Sequence, residues 1–220
     1  MSASLEEIRA AIESCCDPDR TPFSPVSGGA DSSECRLVCQ LVYSFMLWES
    51  SLSRADKAMS AISGQLLDVN ELRVCLPSEL MSIIGPRYPR AEERCLRLRA
   101  CLNAVFEHEH RTSLATLEPM SKREARSALE SLEGMVPFVA ARVVLVELGG
   151  HCFPVDSRIA ALLGALCEPD ESHASLSGKL ERAFRAGEIP AIYAAIERRL
   201  EARPAPRAPS RPRKSGSRTP

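Results

Sequence analysis

The stretch from 132 to 166, LEGMVPFVAARVVLVELGGHCFPVDSRIAALLGAL, constrains the fold of this chain more than any other part of it. Leu132 and Gly134 close one helical pattern, and Pro137 suits the first turn of the next, where a missing N–H leaves no bond unmade. Ala140, Ala141, Val143 and Val144 let that second helix pack closely. The pattern is therefore a helix, a tight hairpin and a helix. Gly149 and Gly150 break the second helix, and 151–155 leads to Asp156, ahead of another helical pattern over 157–166. A hairpin of this kind can present backbone N–H groups at a helix N-terminus to a phosphate, binding nucleic-acid backbone without reading sequence. Spacing alone leaves Asp156 either as an N-cap or as a reactive anion.

The remainder of the chain reads as helices of ordinary length. Val38, Leu41, Val42, Phe45 and Met46 recur at helical spacing within 36–48, and a second helical stretch runs from Ser53 to about 67. Short helices are expected at 69–75 and 78–84. Over 88–107 the apolar positions Ala91, Cys95, Leu98, Leu102 and Val105 step by four and three, while Arg90, Glu92, Glu93, Arg94, Arg97 and Arg99 form a charged face expected to be solvated. Helices near 121–132, 137–148, 176–185 and 191–202 complete the set. No alternating run of strand length occurs, so the expected class is all-α.

Three regions follow: residues 1–34 as a short helix (5–13) with a Pro/Gly/Ser-rich loop, 35–202 as the helical domain, and 203–220 as a disordered tail. The tail holds six bases, five prolines and no acid. The total charge of -1 therefore hides a body at -7 and a tail able to attract polyanions. No apolar run approaches a bilayer span, and the N-terminus lacks a signal pattern, so a cytoplasmic protein with no membrane partner is expected. Nine cysteines in no regular framework, with no Cys-x-x-Cys pair, read as reduced thiols acting as small hydrophobes. Cys35 and Cys39 are too few for a metal site, and His108 and His110 point to different helix faces, so no metal is expected.

The order of hairpin, apolar helix, glycine break and Phe153-Pro154-Val155-Asp156 resembles the helix-hairpin-helix DNA glycosylases of the endonuclease III superfamily. Leu132, Gly134, Ala140, Arg142 and Val143 match that family's hairpin, and Val155, Asp156, Ser157 and Arg158 match its Val-Asp-Thr-His or Val-Asp-Thr-Arg motif. Residues 41–51 and 78–87 resemble two further segments, so the likeness spans about 36–199. It implies a two-lobed helical fold, double-stranded DNA as partner, a monomer, and a role in base excision repair. The resemblance makes Asp156 the catalytic anion, stabilising positive charge on the sugar of a flipped-out nucleotide. It also makes Gly134, Met135, Val136 and Arg158 the DNA-binding residues. Trp48, Glu49 and Ser50 fall at a turn that contacts bases, although a lone Trp after a core stripe is more often packing.

Three departures shape the expected chemistry. The lysine that some relatives use for Schiff-base attack and strand nicking falls on Phe138, which has no nucleophilic atom. A monofunctional glycosylase without lyase activity is the implied enzyme, and a non-catalytic DNA-binding or protein-interaction descendant is its rival. The hairpin's second glycine falls on Val136, which tolerates positive φ badly and so suggests an altered turn. With no cysteine after Cys167, the four-cysteine iron-sulfur loop of many relatives is absent, which leaves a hairpin-bound monovalent cation as the one cofactor the resemblance allows.

Overall fold

The apolar stripes set the architecture, because each helix has one face to bury and little else to bury it against. The computed structural model describes Glu6, Arg9, Ala10, residues 33–164 and residues 171–202. Among the described residues all regular structure is helical. In order the helices are α1 (Ser33–Leu47), α2 (Leu52–Gln65), α3 (Val69–Val74), α4 (Pro77–Ile84) and α5 (Ala91–Glu109). After a 3-10 turn (Ala115–Leu117) come α6 (Lys122–Glu130), α7 (Pro137–Val146), α8 (Ser157–Leu162), α9 (His173–Ala183) and α10 (Ile189–Ala202).

Local chemistry fixes the starts of several helices. Ser121 accepts the Glu124 N–H while Glu124 accepts the Ser121 N–H, a reciprocal cap for α6. Asp68 caps α3 at 2.8 Å and Ser172 caps α9 at 3.2 Å. Pro137 occupies a first turn, as expected, and Pro77 does so as well, starting its helix one residue before the expected 78. Several boundaries differ from the pattern reading by up to four residues. Helix α5 begins at Ala91 rather than 88, since Pro89 disfavours a helical Tyr88 and Arg90 takes the left-handed conformation at φ 51. Helix α8 ends at Leu162, and residues 165–170 lie outside the described ones.

Helix α1 is the hub of the core. Leu37, Val38, Leu41, Val42, Phe45 and Met46 are buried between α2 and α7, and the α5 stripe of Ala91, Cys95, Leu98, Leu102 and Val105 is buried as its spacing requires. Helices α8, α9 and α10 form a second group, with α10 reaching α2. Arg9 ties the N-terminal segment to this group through the Ala183 carbonyl at 3.1 Å and Glu188 at 2.8 Å. The tail at 203–220 and most of 1–34 lie outside the described residues.

One expectation about α5 is corrected. Arg94 is not on a solvated face but has no exposed surface at all. Its guanidinium donates to the carbonyls of Phe45, Trp48 and Pro89, which lets a cation sit inside the core, and burial pushes its pKa down to about 10. Arg94 thereby pins the end of α1, and the turn after it, to the start of α5.

Candidate functional site

The segment 147–156 leaves α7 and returns the chain to the junction of the two helix groups. There Asp156 is the N-cap of α8, its Oδ1 accepting the N–H groups of Arg158 and Ile159 at 3.1 Å each. Its Oδ2 accepts the Glu49 N–H at 3.0 Å and the Arg158 Nε–H at 2.7 Å. The carboxylate has four donors and no exposed surface.

Arg158 spans the junction. While its Nε holds Asp156, its Nη1 and Nη2 form a two-pronged pair with Glu197 of α10, each at 3.1 Å, and Tyr193 donates to Glu197 at 2.8 Å. Burial works against the charge on Arg158, but Glu197 and Asp156 outweigh it and raise its pKa. The Tyr193 pKa is raised well above its ordinary value by burial and by Glu197. Asp156, Arg158, Glu197 and Tyr193 are thus one charged network locking α8 to α10. Tyr193 and Glu197 had no motif to reveal them; their four-residue spacing was the only available signal.

The turn after α1 completes the site. Glu49 sits at φ 52, and its carboxylate accepts the Ser157 N–H at 2.9 Å, so it caps α8 from outside. Trp48 is buried, with the guanidinium carbons of Arg90, Arg94 and Arg97 at 5.2, 5.6 and 5.9 Å from its ring. Ser50 is buried as well. Trp48 and Ser50 thus both pack inward in the turn that follows α1. Arg158 is held by two carboxylates, Asp156 and Glu197.

The hairpin turns by a different route from the one the glycines suggested. Gly134 carries the positive φ, 77°, and a Cβ there would meet the Arg97 carbonyl oxygen at 2.5 Å, so this position is closed to other residues. Val136 is extended at φ -115, so it sits in the turn without positive-φ strain. Among the described residues no protein acceptor takes the N–H of Gly134 or of Val136. Met135, partly buried, bonds back to Leu132 at 3.1 Å and holds the turn closed. Phe138 is buried 5.9 Å from Arg158, and it lines a 370 Å³ pocket between the hairpin and α9 with Met135, Pro137, Phe153, Val155 and Ser177. Arg142 cannot replace a missing amine, because it is buried and donates to Ser44 at 3.0 Å.

Among the described residues no three His, Cys, Asp or Glu gather to hold a metal ion, and no helix is long and apolar enough to cross a membrane. No family model and no curated protein matches the sequence. The fold, by contrast, has solved counterparts. A trapped endonuclease III–DNA covalent intermediate superposes with a TM-score of 0.66 at 14% identity, over 96% of this chain and 93% of that one. A thermostable thymine-DNA glycosylase gives 0.61 at 15%, over 92% and 88%. The Clostridium acetobutylicum 8-oxoguanine glycosylase/lyase on DNA gives 0.60 at 16%, over 75% of this chain and 60% of that enzyme. The chain has the all-helical fold of the helix-hairpin-helix glycosylases.

Proposed function

We propose that this chain is a base-excision-repair-type protein that binds double-stranded DNA, and that its site supports hydrolytic removal of a base without strand nicking. One observation carries the chemistry: a carboxylate held at the N-terminus of α8, with a buried Phe138 where a nicking enzyme of this fold keeps its lysine. The unpaired N–H groups of Gly134 and Val136 supply a phosphate contact beside it. The solved counterparts that are bound to DNA support the same partner.

In this reading a nucleotide leaves the helix stack, and the N-glycosidic bond breaks with its electron pair going to the base. Asp156 then stabilises the positive sugar and orients the water whose oxygen bonds to the sugar carbon while its proton ends on the departed base, leaving an abasic site. Phe138 offers no amine to form a Schiff base at that position, so in this reading the strand stays intact.

A second reading has its own observation. Arg158 and three N–H groups already engage both oxygens of Asp156, which has no exposed surface. A carboxylate so engaged is a structural anchor, and the scaffold then binds DNA without chemistry. Duplexes carrying a panel of damaged or mismatched bases separate the two. Base release by the full chain that disappears in Asp156→Asn, with no strand nick, supports hydrolysis. Duplex binding with no release from any lesion supports the anchor, and absence of both overturns the proposal.

A further inference from the structure

A 500 Å³ pocket lies between α2 and the loop after α4, with Ala58 and Ile84 in its floor and Arg54, Lys57, Arg87 and Tyr88 around it. All three cations are exposed. None has a carboxylate within salt-bridge distance or donates a hydrogen bond among the described residues. That is unusual on a body of net charge -7, where acids outnumber bases.

The contrast with the neighbouring arginines is instructive. Arg90 and Arg97 share Glu93 at 2.8 and 2.9 Å. Asp56, which lies between Arg54 and Lys57 on α2, accepts the Tyr43 hydroxyl at 3.0 Å instead of pairing with either. Like charges brought together without a counter-ion repel one another, and an anion from outside relieves the repulsion.

Tyr88 connects the pocket to the Asp156 junction. Its hydroxyl donates to the Met46 carbonyl at 2.7 Å, and its ring lies 4.9 Å from the Arg94 guanidinium carbon. Burial raises the Tyr88 pKa, while the positive charges of Arg94, Arg54 and Arg158 all act to lower it, so both the pocket and the junction reach this one phenol.

We infer that Arg54, Lys57 and Arg87 form a second phosphate-binding point, built from residues other than those of the hairpin, which takes a DNA backbone phosphate. The inference rests on the DNA-binding reading above and deepens it: the duplex is held at two places, by backbone N–H groups at the hairpin and by side-chain charge here. A phosphate group offers the oxygens that three converging cations need, and it needs no base-specific contact.

The test is duplex binding by the full chain across a range of salt, compared with the triple variant Arg54→Ala, Lys57→Ala, Arg87→Ala. Losing one phosphate contact should make the log–log salt dependence shallower by about 0.9 and weaken low-salt binding about tenfold. An Arg54→Lys, Arg87→Lys variant, which keeps the charge, should retain the wild-type slope. Should the triple variant fail to fold, Arg87→Ala alone is read in the same way. A duplex bound with an unchanged slope by the alanine variants overturns this inference and leaves the hairpin reading intact. A wild-type chain that binds no duplex overturns both.

Discussion

Glu197 shows how one residue can govern a site it does not enter. Its carboxylate holds the outer nitrogens of Arg158, and Arg158 in turn holds Asp156. Breaking such a buried pair from one side leaves a charge without its partner, so Glu197→Ala should lower stability by about 3–5 kcal/mol in urea unfolding. A loss below 1 kcal/mol would show the network to be loose. Cysteine reactivity gives a second test at the level of single side chains. Burial raises the Cys95 thiol to about 11 and the Cys101 thiol to about 12. A thiol reagent at pH 8 should therefore leave both unlabelled until the chain unfolds. Because the folded chain keeps these protons, the stability they contribute is present below the ordinary thiol value near 9 and is lost as pH rises towards 11 and 12. Asp156 was readable in the sequence, since a cap residue before an apolar pattern announces itself. Arg158 was readable only as a motif match; that it faces Glu197 depends on how α10 comes to lie against α8, which no local spacing encodes.

Helix periods were written plainly in the chain because each helix buries one face. The α1 and α5 stripes came out buried at the positions their spacing required. What periodicity could not show was the fate of a charged residue beside a stripe. Arg94 is one residue from Cys95, and only the carbonyls left unpaired where α1 ends make its burial tolerable. The hairpin offers the prediction at this level. Gly134→Ala places a methyl group 2.5 Å from the Arg97 carbonyl oxygen at a positive φ, so it should cost about 2 kcal/mol or more and weaken duplex binding as the turn shifts. Gly149→Ala, at φ 64 with open space around it, carries only the backbone cost of about 1 kcal/mol. Equal losses in the two variants, measured by thermal unfolding, would remove the close approach of hairpin and α5 from the account.

Charge is distributed over the whole molecule in a way that a net of -1 conceals. The folded body is acidic, and its cations fall into groups with different uses. Arg94 and Arg142 are buried as structural groups, Arg158 is bound to carboxylates, and Arg54, Lys57 and Arg87 stay without them. The basic stretch at 203–220 lies outside the described residues, and we propose that it supplies long-range attraction to DNA while the body supplies position. Removing it should weaken duplex binding at low salt without abolishing it. Whether the body itself engages DNA is the central claim, and hydrogen–deuterium exchange of the full chain with and without duplex tests it most directly. Added duplex should slow exchange at the Gly134 and Val136 amides and around Arg87. Slowed exchange confined to 203–220, or none anywhere, would contradict the account.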